Sequence, residues 1–197
     1  MSGIPQAVLD TFADLLAQAR ASTDPEPTAM TVATLGDDGQ PSARTVLLKD
    51  VDERGFVFYT NFESRKGRQL AAHPKAALLL HWKLVGDGVQ VKVEGAVERV
   101  SDAEADAYFA SRPRPSQVGA WASLQSQTLL SRDEFEARID EVEARYEGTP
   151  VPRPPHWSGF RVRPVMIEFW YGARYRLHER QRYERVDGQW QQRMLYP

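Results

Sequence analysis

The stretch Met30–Thr60, MTVATLGDDGQPSARTVLLKDVDERGFVFYT, decides the fold class. Met30-Thr-Val-Ala-Thr-Leu35 is a short β-prone run closed by the turn cluster Gly36-Asp-Asp-Gly39. Ser42 to Lys49 forms the next run, Asp52-Glu-Arg-Gly55 turns again, and Phe56-Val-Phe-Tyr-Thr60 follows. Strands joined by turns of a few residues pair antiparallel, because a parallel crossover needs about a dozen residues or more. The doubly wound α/β class is therefore disfavoured.

Upstream, Val8, Phe12, Leu15 and Ala19 recur at helical spacing, and Asp24-Pro-Glu-Pro27 breaks the chain after them. Downstream, Ala76–Trp82 and Val89–Val100 read as strands; Val89, Val91 and Val93 alternate with polar residues and Gly95 marks a bulge. Ser101-x-x-Glu104 and Ser131-x-x-Glu134 are capping boxes that open two helices. The second carries Phe135, Ile139, Val142 and Tyr146 on one stripe, with an acidic, solvated opposite face. Thr149–Pro155 is a proline-rich connector. Strands return at Phe160–Val162, Val165–Trp170 and Tyr183–Leu195, with Asp187-Gly188 as a two-residue hairpin turn in the last. Six or more short strands with peripheral helices imply a small antiparallel barrel or sandwich.

Composition narrows the chemistry. The 197 residues, 42% hydrophobic and 26% charged, suit one globular domain with its own core. Cysteine is absent, which excludes disulfides, thiolate metal sites and a cysteine nucleophile. His73, His81, His156 and His178 lie far apart, so no metal site is expected. The formal net charge of −2 gives no global field for nucleic acid or an anionic membrane. No apolar run approaches the roughly 20 residues of a membrane span, and no signal-peptide layout opens the chain, so a cytoplasmic location is expected. Neither G-x-G-x-x-G nor G-x-x-x-x-G-K-[ST] occurs, which removes the Rossmann and P-loop routes to nucleotide binding.

Local charge is more telling. Ser64 is a good N-cap, which puts Arg65 and Lys66 in a first helical turn, where the helix dipole opposes cations. An anion would remove that conflict, and free N–H groups beside two cations make a phosphate cradle; an exposed basic turn is the competing reading. Arg44 and Lys49 lie nearby in sequence, but five residues apart on a regular strand they point to opposite faces unless a bulge intervenes. A second group is Tyr108, Arg112 and Ser116, spaced four apart, each able to donate to a phosphate oxygen; Pro113 and Pro115 interrupt the helix that would align them. Gly119–Gln127 then reads as a polar loop suited to a heteroaromatic edge, or simply to solvent. A third group, Arg176, His178 and Arg180, alternates on a strand-like segment beside Trp170 and suits a planar anion, although a lone histidine is often structural.

In this order the strings resemble the pyridoxamine 5'-phosphate oxidase family. The matches are Pro27-Thr-Ala-Met-Thr31, Ser42-Ala-Arg-Thr-Val-Leu-Leu-Lys49, Gly55-Phe-Val-Phe-Tyr-Thr-Asn61, Glu63-Ser-Arg-Lys-Gly67 and Tyr108-Phe-Ala-Ser-Arg-Pro-Arg114. They continue with Gly119-Ala-Trp-Ala-Ser123, Gln125-Ser126, Pro152-Arg-Pro-Pro-His-Trp157, Ile167-Glu-Phe-Trp170 and Arg176-Leu-His178. The likeness runs from about Glu26 to the C-terminus; each string alone is weak, and their ordered combination is specific.

The resemblance implies a mainly β, Greek-key-like FMN-binding split β-barrel acting as a homodimer, with FMN at the subunit interface. Residues 1–26 would be an N-terminal helix and linker, and 27–197 the split-barrel domain with C-terminal dimerisation strands. By matching position, FMN contacts would come from Arg44, Lys49, Tyr59, Thr60, Arg65, Lys66, Gln90, Gln125, Ser126, Trp170 and Arg180. The substrate phosphate would be held by Lys49, Tyr108, Arg112 and Ser116, while Arg176 and His178 would cover the pyridine ring and orient its reacting carbon. The implied reaction transfers a hydride equivalent from the C4' carbon of pyridoxamine or pyridoxine 5'-phosphate to the flavin. Pyridoxal 5'-phosphate forms, and dioxygen is reduced to hydrogen peroxide. A sister oxidase of the phenazine-biosynthesis type, or a non-catalytic module binding flavin, haem or pyridoxal phosphate, are the alternatives.

Three departures from the family pattern stand out. No arginine-rich, tyrosine-containing arm precedes the first strand, so no N-terminal lid is expected. Lys83–Val89 is longer and richer in glycine than the usual connection before Gln90, which implies a mobile tip. Glu179 replaces the usual aspartate after the histidine.

Overall fold

A computed structural model describes residues 3–197. Its helices are α1 (Gln6–Ala21), α2 (Arg65–Ala72), α3 (Asp102–Ser111), α4 (Arg114–Ala122) and α5 (Arg132–Arg145). Its strands are β1 (Ala29–Leu35), β2 (Pro41–Leu47), β3 (Asp50–Asp52), β4 (Gly55–Asn61), β5 (Lys75–Trp82), β6 (Val89–Arg99), β7 (Trp157–Tyr171), β8 (Glu179–Val186) and β9 (Gln189–Leu195). The strands form one antiparallel sheet in the order β2-β1-β5-β6-β7-β4-β3, with β8 added to β7 and β9 to β8. It curls into a half-barrel around Met30, Val32, Phe58, Leu78, Leu80, Val91 and Phe169. The antiparallel class expected from the short connections holds.

β7 organises the sheet. Residues 160–162 and 165–170, read from the sequence as two strands, are parts of this single strand of fifteen residues. Its first half pairs with β4 as far as Val162, and its second half pairs with β8 from Met166 onward. Pro164 sits at the change of partner, where a residue without an N–H breaks no ladder bond. Opposite it β6 is irregular between Glu94 and Gly95, as the glycine implied, and Val165 falls outside the pairing. The barrel splits at this point because one strand must serve two neighbours on the same side.

The helices follow from their faces and caps. α1 buries Val8, Phe12, Leu15 and Ala19, and Phe12 meets Phe56 edge-on with centroids 5.1 Å apart. Ser101 and Glu104 form a full capping box at α3. At α5 the box is only half made: Ser131 accepts the Glu134 N–H, but the Glu134 carboxylate reaches the Leu130 N–H instead. Ser131 is fully extended (φ −153°), which turns its own N–H away. Phe109, Val118, Ala122, Val142 and Trp157 form a second cluster between α3, α4, α5 and the start of β7. Asp187 and Gly188 both have positive φ, the turn expected between β8 and β9.

The 83–89 connection is held at Val85 and Gly88, with Gly86 and Asp87 exposed between them. Val85 is buried in the main core, and the Gly172 N–H donates to the Gly88 carbonyl at 2.7 Å. Among the described residues no helix is long and apolar enough to cross a membrane.

Because α1 fills the barrel core, Phe12→Ala should cost about 3–5 kcal/mol of unfolding free energy. Urea denaturation followed by tryptophan fluorescence checks this. An unchanged midpoint would mean that α1 is an appendage.

Candidate active site

The entry to α2 is built from Asn61 onward. The Asn61 Oδ1 accepts the Glu63 N–H at 2.7 Å, and the fully buried Ser64 hydroxyl donates to the Asn61 carbonyl while accepting the Gly67 N–H. A Cβ on Gly67 would fall 2.1 Å from the Phe62 carbonyl oxygen, so only glycine lets the first turn close this tightly. Ser64 is thus the N-cap, and Arg65 and Lys66 occupy the first turn with no acidic residue beside them.

Arg44 joins them from β2. Its guanidinium donates to the Val32 carbonyl (3.1 Å), the Thr34 hydroxyl (2.6 Å) and the Gln69 side-chain oxygen (3.3 Å), all neutral acceptors. Lys66 Nζ donates to the Gln125 side-chain oxygen at 2.8 Å. Among the described residues no ion pair involves Arg44, Lys49, Arg65 or Lys66. Burial, then the charge of Arg44, lowers the Lys66 pKa to about 8. Burial, then the charge of Arg65, lowers Arg44 below its ordinary value. These cations repel one another with no carboxylate to relieve them. Since Lys66 holds its proton less tightly folded than unfolded, it destabilises the native state below pH 8, and this cost fades as pH rises toward 10.5.

Lys49 lies just past the end of β2, not on a regular strand with Arg44. The chain leaves the strand at Leu47, buries Leu48, and turns Lys49 into a cavity of about 440 Å³. Lys66, Thr60, Gln125, Tyr108, Arg112 and Ser116 line the same cavity. The three residues spaced four apart therefore do converge, although two helices carry them: α3 ends at Ser111, Arg112 is extended, and α4 starts at Arg114. Tyr59, Tyr108 and Trp157 form one aromatic wall, Tyr59 stacking 4.0 Å from Tyr108 and 5.3 Å from Trp157. Arg112 lies 4.7 Å over Trp157, and its buried Nη1 has no hydrogen-bond partner. Burial lowers its pKa, with the charge of Tyr108 acting the other way.

Gly119–Gln127 is not a single loop. Gly119–Ala122 finishes α4, whose last carbonyl accepts from Arg138 Nε, and the polar loop starts at Ser123. Gln125 accepts from Thr60 Oγ1 and Lys66, while Ser126, with φ 73°, faces a separate hollow of about 270 Å³.

Gln90, Trp170 and Arg180 form a second group, directly opposite one another across β6, β7 and β8. His178 packs on Trp170 with centroids 4.3 Å apart, and its Nδ1 accepts the Ala173 N–H at 3.1 Å. Arg180 holds the buried Glu168 through two hydrogen bonds, and Lys92 adds a third at 3.0 Å. Burial works to raise the Glu168 carboxyl, but these partners hold it below the ordinary range.

The expected strand through Arg176 and His178 is replaced by a turn. Residues 174–176 form a 3-10 turn, Tyr175 and Arg176 are left-handed (φ 58° and 62°), and β8 begins only at Glu179. The chain reverses there because Gly172 is seated against the Asp87 carbonyl, where a Cβ would be 2.1 Å away. Arg176 is exposed and free to reach outward.

The two groups stand far apart on one chain. Trp157 and Trp170 are thirteen positions apart along β7, on the order of 40 Å at about 3.3 Å per residue. None of Gln90, Trp170, Arg176, His178 and Arg180 lines the first cavity. Thr34, Gln69 and Trp157 escaped the residue-level reading; for Gln69 the only signal was its place one helical turn after Arg65.

A pyridoxamine 5'-phosphate oxidase family model matches residues 16–146, and a pyridoxine 5'-phosphate oxidase C-terminal dimerisation region matches 157–197. A pyridoxine/pyridoxamine 5'-phosphate oxidase of Myxococcus xanthus is 62% identical over 98% of this chain and 93% of its own. Another, from Xanthomonas euvesicatoria pv. vesicatoria, is 60% identical over the full length of both. Among solved structures, PhzG from Burkholderia lata 383, in complex with tetrahydrophenazine-1-carboxylic acid, superposes with a TM-score of 0.89 at 34% identity. That match covers 99% of this chain and 93% of PhzG. A related FMN-binding protein of Nostoc punctiforme shares the fold with a TM-score of 0.75 at 18% identity. With family models covering the barrel and its C-terminal strands alike, the chain belongs to the pyridoxamine 5'-phosphate oxidase family.

Proposed function

We propose that the protein is an FMN-dependent oxidase that converts pyridoxamine and pyridoxine 5'-phosphates to pyridoxal 5'-phosphate and reduces dioxygen to hydrogen peroxide. The observation that carries this reading is the cluster Arg44–Arg65–Lys66, three cations without a carboxylate at a helix N-terminus. They fit the phosphate of FMN by charge and by donor geometry. Tyr108, Arg112 and Ser116 supply a second anion position, in a cavity that Lys66 and Lys49 also line. Two phosphate-tailed heterocycles need two such positions.

When bound, the flavin would accept the hydride equivalent and pass electrons to dioxygen. The chain's own residues position and hold charge. Arg44, Arg65 and Lys66 bind the cofactor phosphate, Thr60 and Gln125 read its polar edges, Ser126 reaches it from the neighbouring hollow that Gln125 also lines, and Tyr59 flanks it. Lys49, Tyr108, Arg112 and Ser116 bind the substrate phosphate. Gln90, Trp170 and Arg180 close over the flavin, and Arg176 and His178 orient the pyridine ring. With Nδ1 occupied by the Ala173 N–H, neutral His178 presents Nε2–H as a donor.

The distance along β7 implies that this last group comes from a second copy. The working unit in this reading is a homodimer, with 27–197 as the flavin-binding domain and β8 and β9 as dimerisation strands. The matched dimerisation region supports this assembly. The phenazine-type alternative fits less well. Relatives near 60% identity carry the vitamin-oxidase name against 34% for PhzG, whose ligand is named as a carboxylic acid rather than a phosphate ester.

Anaerobic addition of pyridoxamine 5'-phosphate to the purified yellow protein should bleach the flavin band. A yellow protein that neither bleaches nor forms peroxide would be a binding module, and bleaching only by a reduced phenazine would favour the sister reaction. FMN binding at pH 9 should take up protons, because the phosphate draws Lys66 back up from about 8. Calorimetry in buffers of different ionisation enthalpy reads this uptake. Lys66→Ala should reduce it and weaken binding by about 1.5–3 kcal/mol; unchanged affinity would remove Lys66 from the site.

A further inference from the structure

Arg44 has only uncharged partners, and two of them are buried side chains that bond each other. Thr34 is 5% exposed and Gln69 is 8% exposed. The Thr34 hydroxyl donates to the Gln69 Oε1 at 2.6 Å, and Arg44 Nη1 and Nη2 donate to that hydroxyl and that oxygen in turn. The Gln69 amide nitrogen lies 3.4 Å from Ser42 Oγ, which fixes which way the amide faces. Gln69 is on α2, four residues beyond Arg65, so one helix carries both the cations of its first turn and the acceptor that orients Arg44.

Arg44 is half-buried; where this chain withdraws an arginine from solvent altogether it matches it with carboxylates, as Arg161, 2% exposed, pairs with Asp52 and Glu104. At Arg44 the position open to a carboxylate is filled by its neutral isostere. We propose that Gln69, with Thr34, is a positioning residue that fixes Arg44 through neutral acceptors and so leaves its charge uncompensated for a phosphate monoester. A glutamate at 69 would occupy the same space but satisfy Arg44 internally, and the anion would lose its partner. This inference rests on the assignment of the cluster to the FMN phosphate.

The test separates phosphate recognition from folding. FMN and riboflavin differ only in the phosphate, so the ratio of their dissociation constants reports on the cluster alone. In Gln69→Glu that ratio should fall by about tenfold or more, the size expected for one charged hydrogen bond, with riboflavin affinity unchanged. The apoprotein melting temperature should hold or rise, because the new carboxylate relieves the repulsion among the cations. A merely structural glutamine would give the reverse, a lower melting temperature with the ratio intact, and that result overturns the proposal. Should Gln69→Glu fail to fold, so that no ratio can be read, Thr34→Val decides in its place: a reduced ratio supports the proposal and an intact one overturns it. If the wild-type protein binds neither flavin, the reading of the cluster as an FMN site falls, and inorganic phosphate becomes the probe. A phosphate-induced rise in melting temperature that Gln69→Glu abolishes still supports the proposal; an equal rise in both proteins, or none in either, overturns it.

Discussion

The length of β7 is the constraint from which the rest follows. One strand of fifteen residues spans the sheet, pairs with β4 at its start and β8 at its end, and carries Trp157 and Trp170 toward its two extremes. Each tryptophan anchors a different set of polar side chains. In the proposed homodimer a site that uses both sets draws them from different chains, and a symmetric pair of chains supplies two such sites at once.

Within one chain, burial and the mutual repulsion of its cations act together at the first set. Arg44, Arg65 and Lys66 are drawn together by local geometry: a cross-strand reach from β2, and a serine-capped turn that closes only because position 67 is glycine. Burial first, and the neighbouring cation second, lower the pKa values of Arg44 and Lys66. At the second set a carboxylate is present, since the buried Glu168 pairs with both Lys92 and Arg180 two residues from Trp170 along β7. The first arrangement is poised to take an anion and the second to present a planar, ordered edge. Arg153 ties the machinery to the barrel by pairing with Asp102 and Asp106 of α3 while donating to the Trp157 carbonyl.

Much of this was legible in the residues. Short turns between Met30 and Thr60 fixed the antiparallel class, Gly95 marked the irregularity in β6, and Ser64 marked the start of α2. Tyr108, Arg112 and Ser116 line one cavity although the single helix that their spacing would need is broken, as Pro113 and Pro115 implied: Arg112 bridges two helices around it. The misreadings share a cause. Pro164 reads locally as a strand end, yet it sits where β7 exchanges partners, which only the sheet determines. Arg176, Leu177 and His178 alternate like a strand, yet the chain reverses there because Gly172 packs on the Asp87 carbonyl, a tertiary contact. Gln69 was invisible for the same reason: a glutamine on a short helix gives no sign that it meets an arginine from another strand.

The most direct test mixes subunits. Lys66→Ala protein and Arg176→Ala protein, each nearly inactive alone, are unfolded, combined in equal amounts and refolded. If Lys66 of one chain and Arg176 of its partner serve the same site, random pairing makes half the dimers hybrid, each with one intact site, and about a quarter of wild-type activity returns. Recovery no greater than the sum of the two parents, with hybrid dimers demonstrably formed, would place both residues in the site of a single chain and contradict the account.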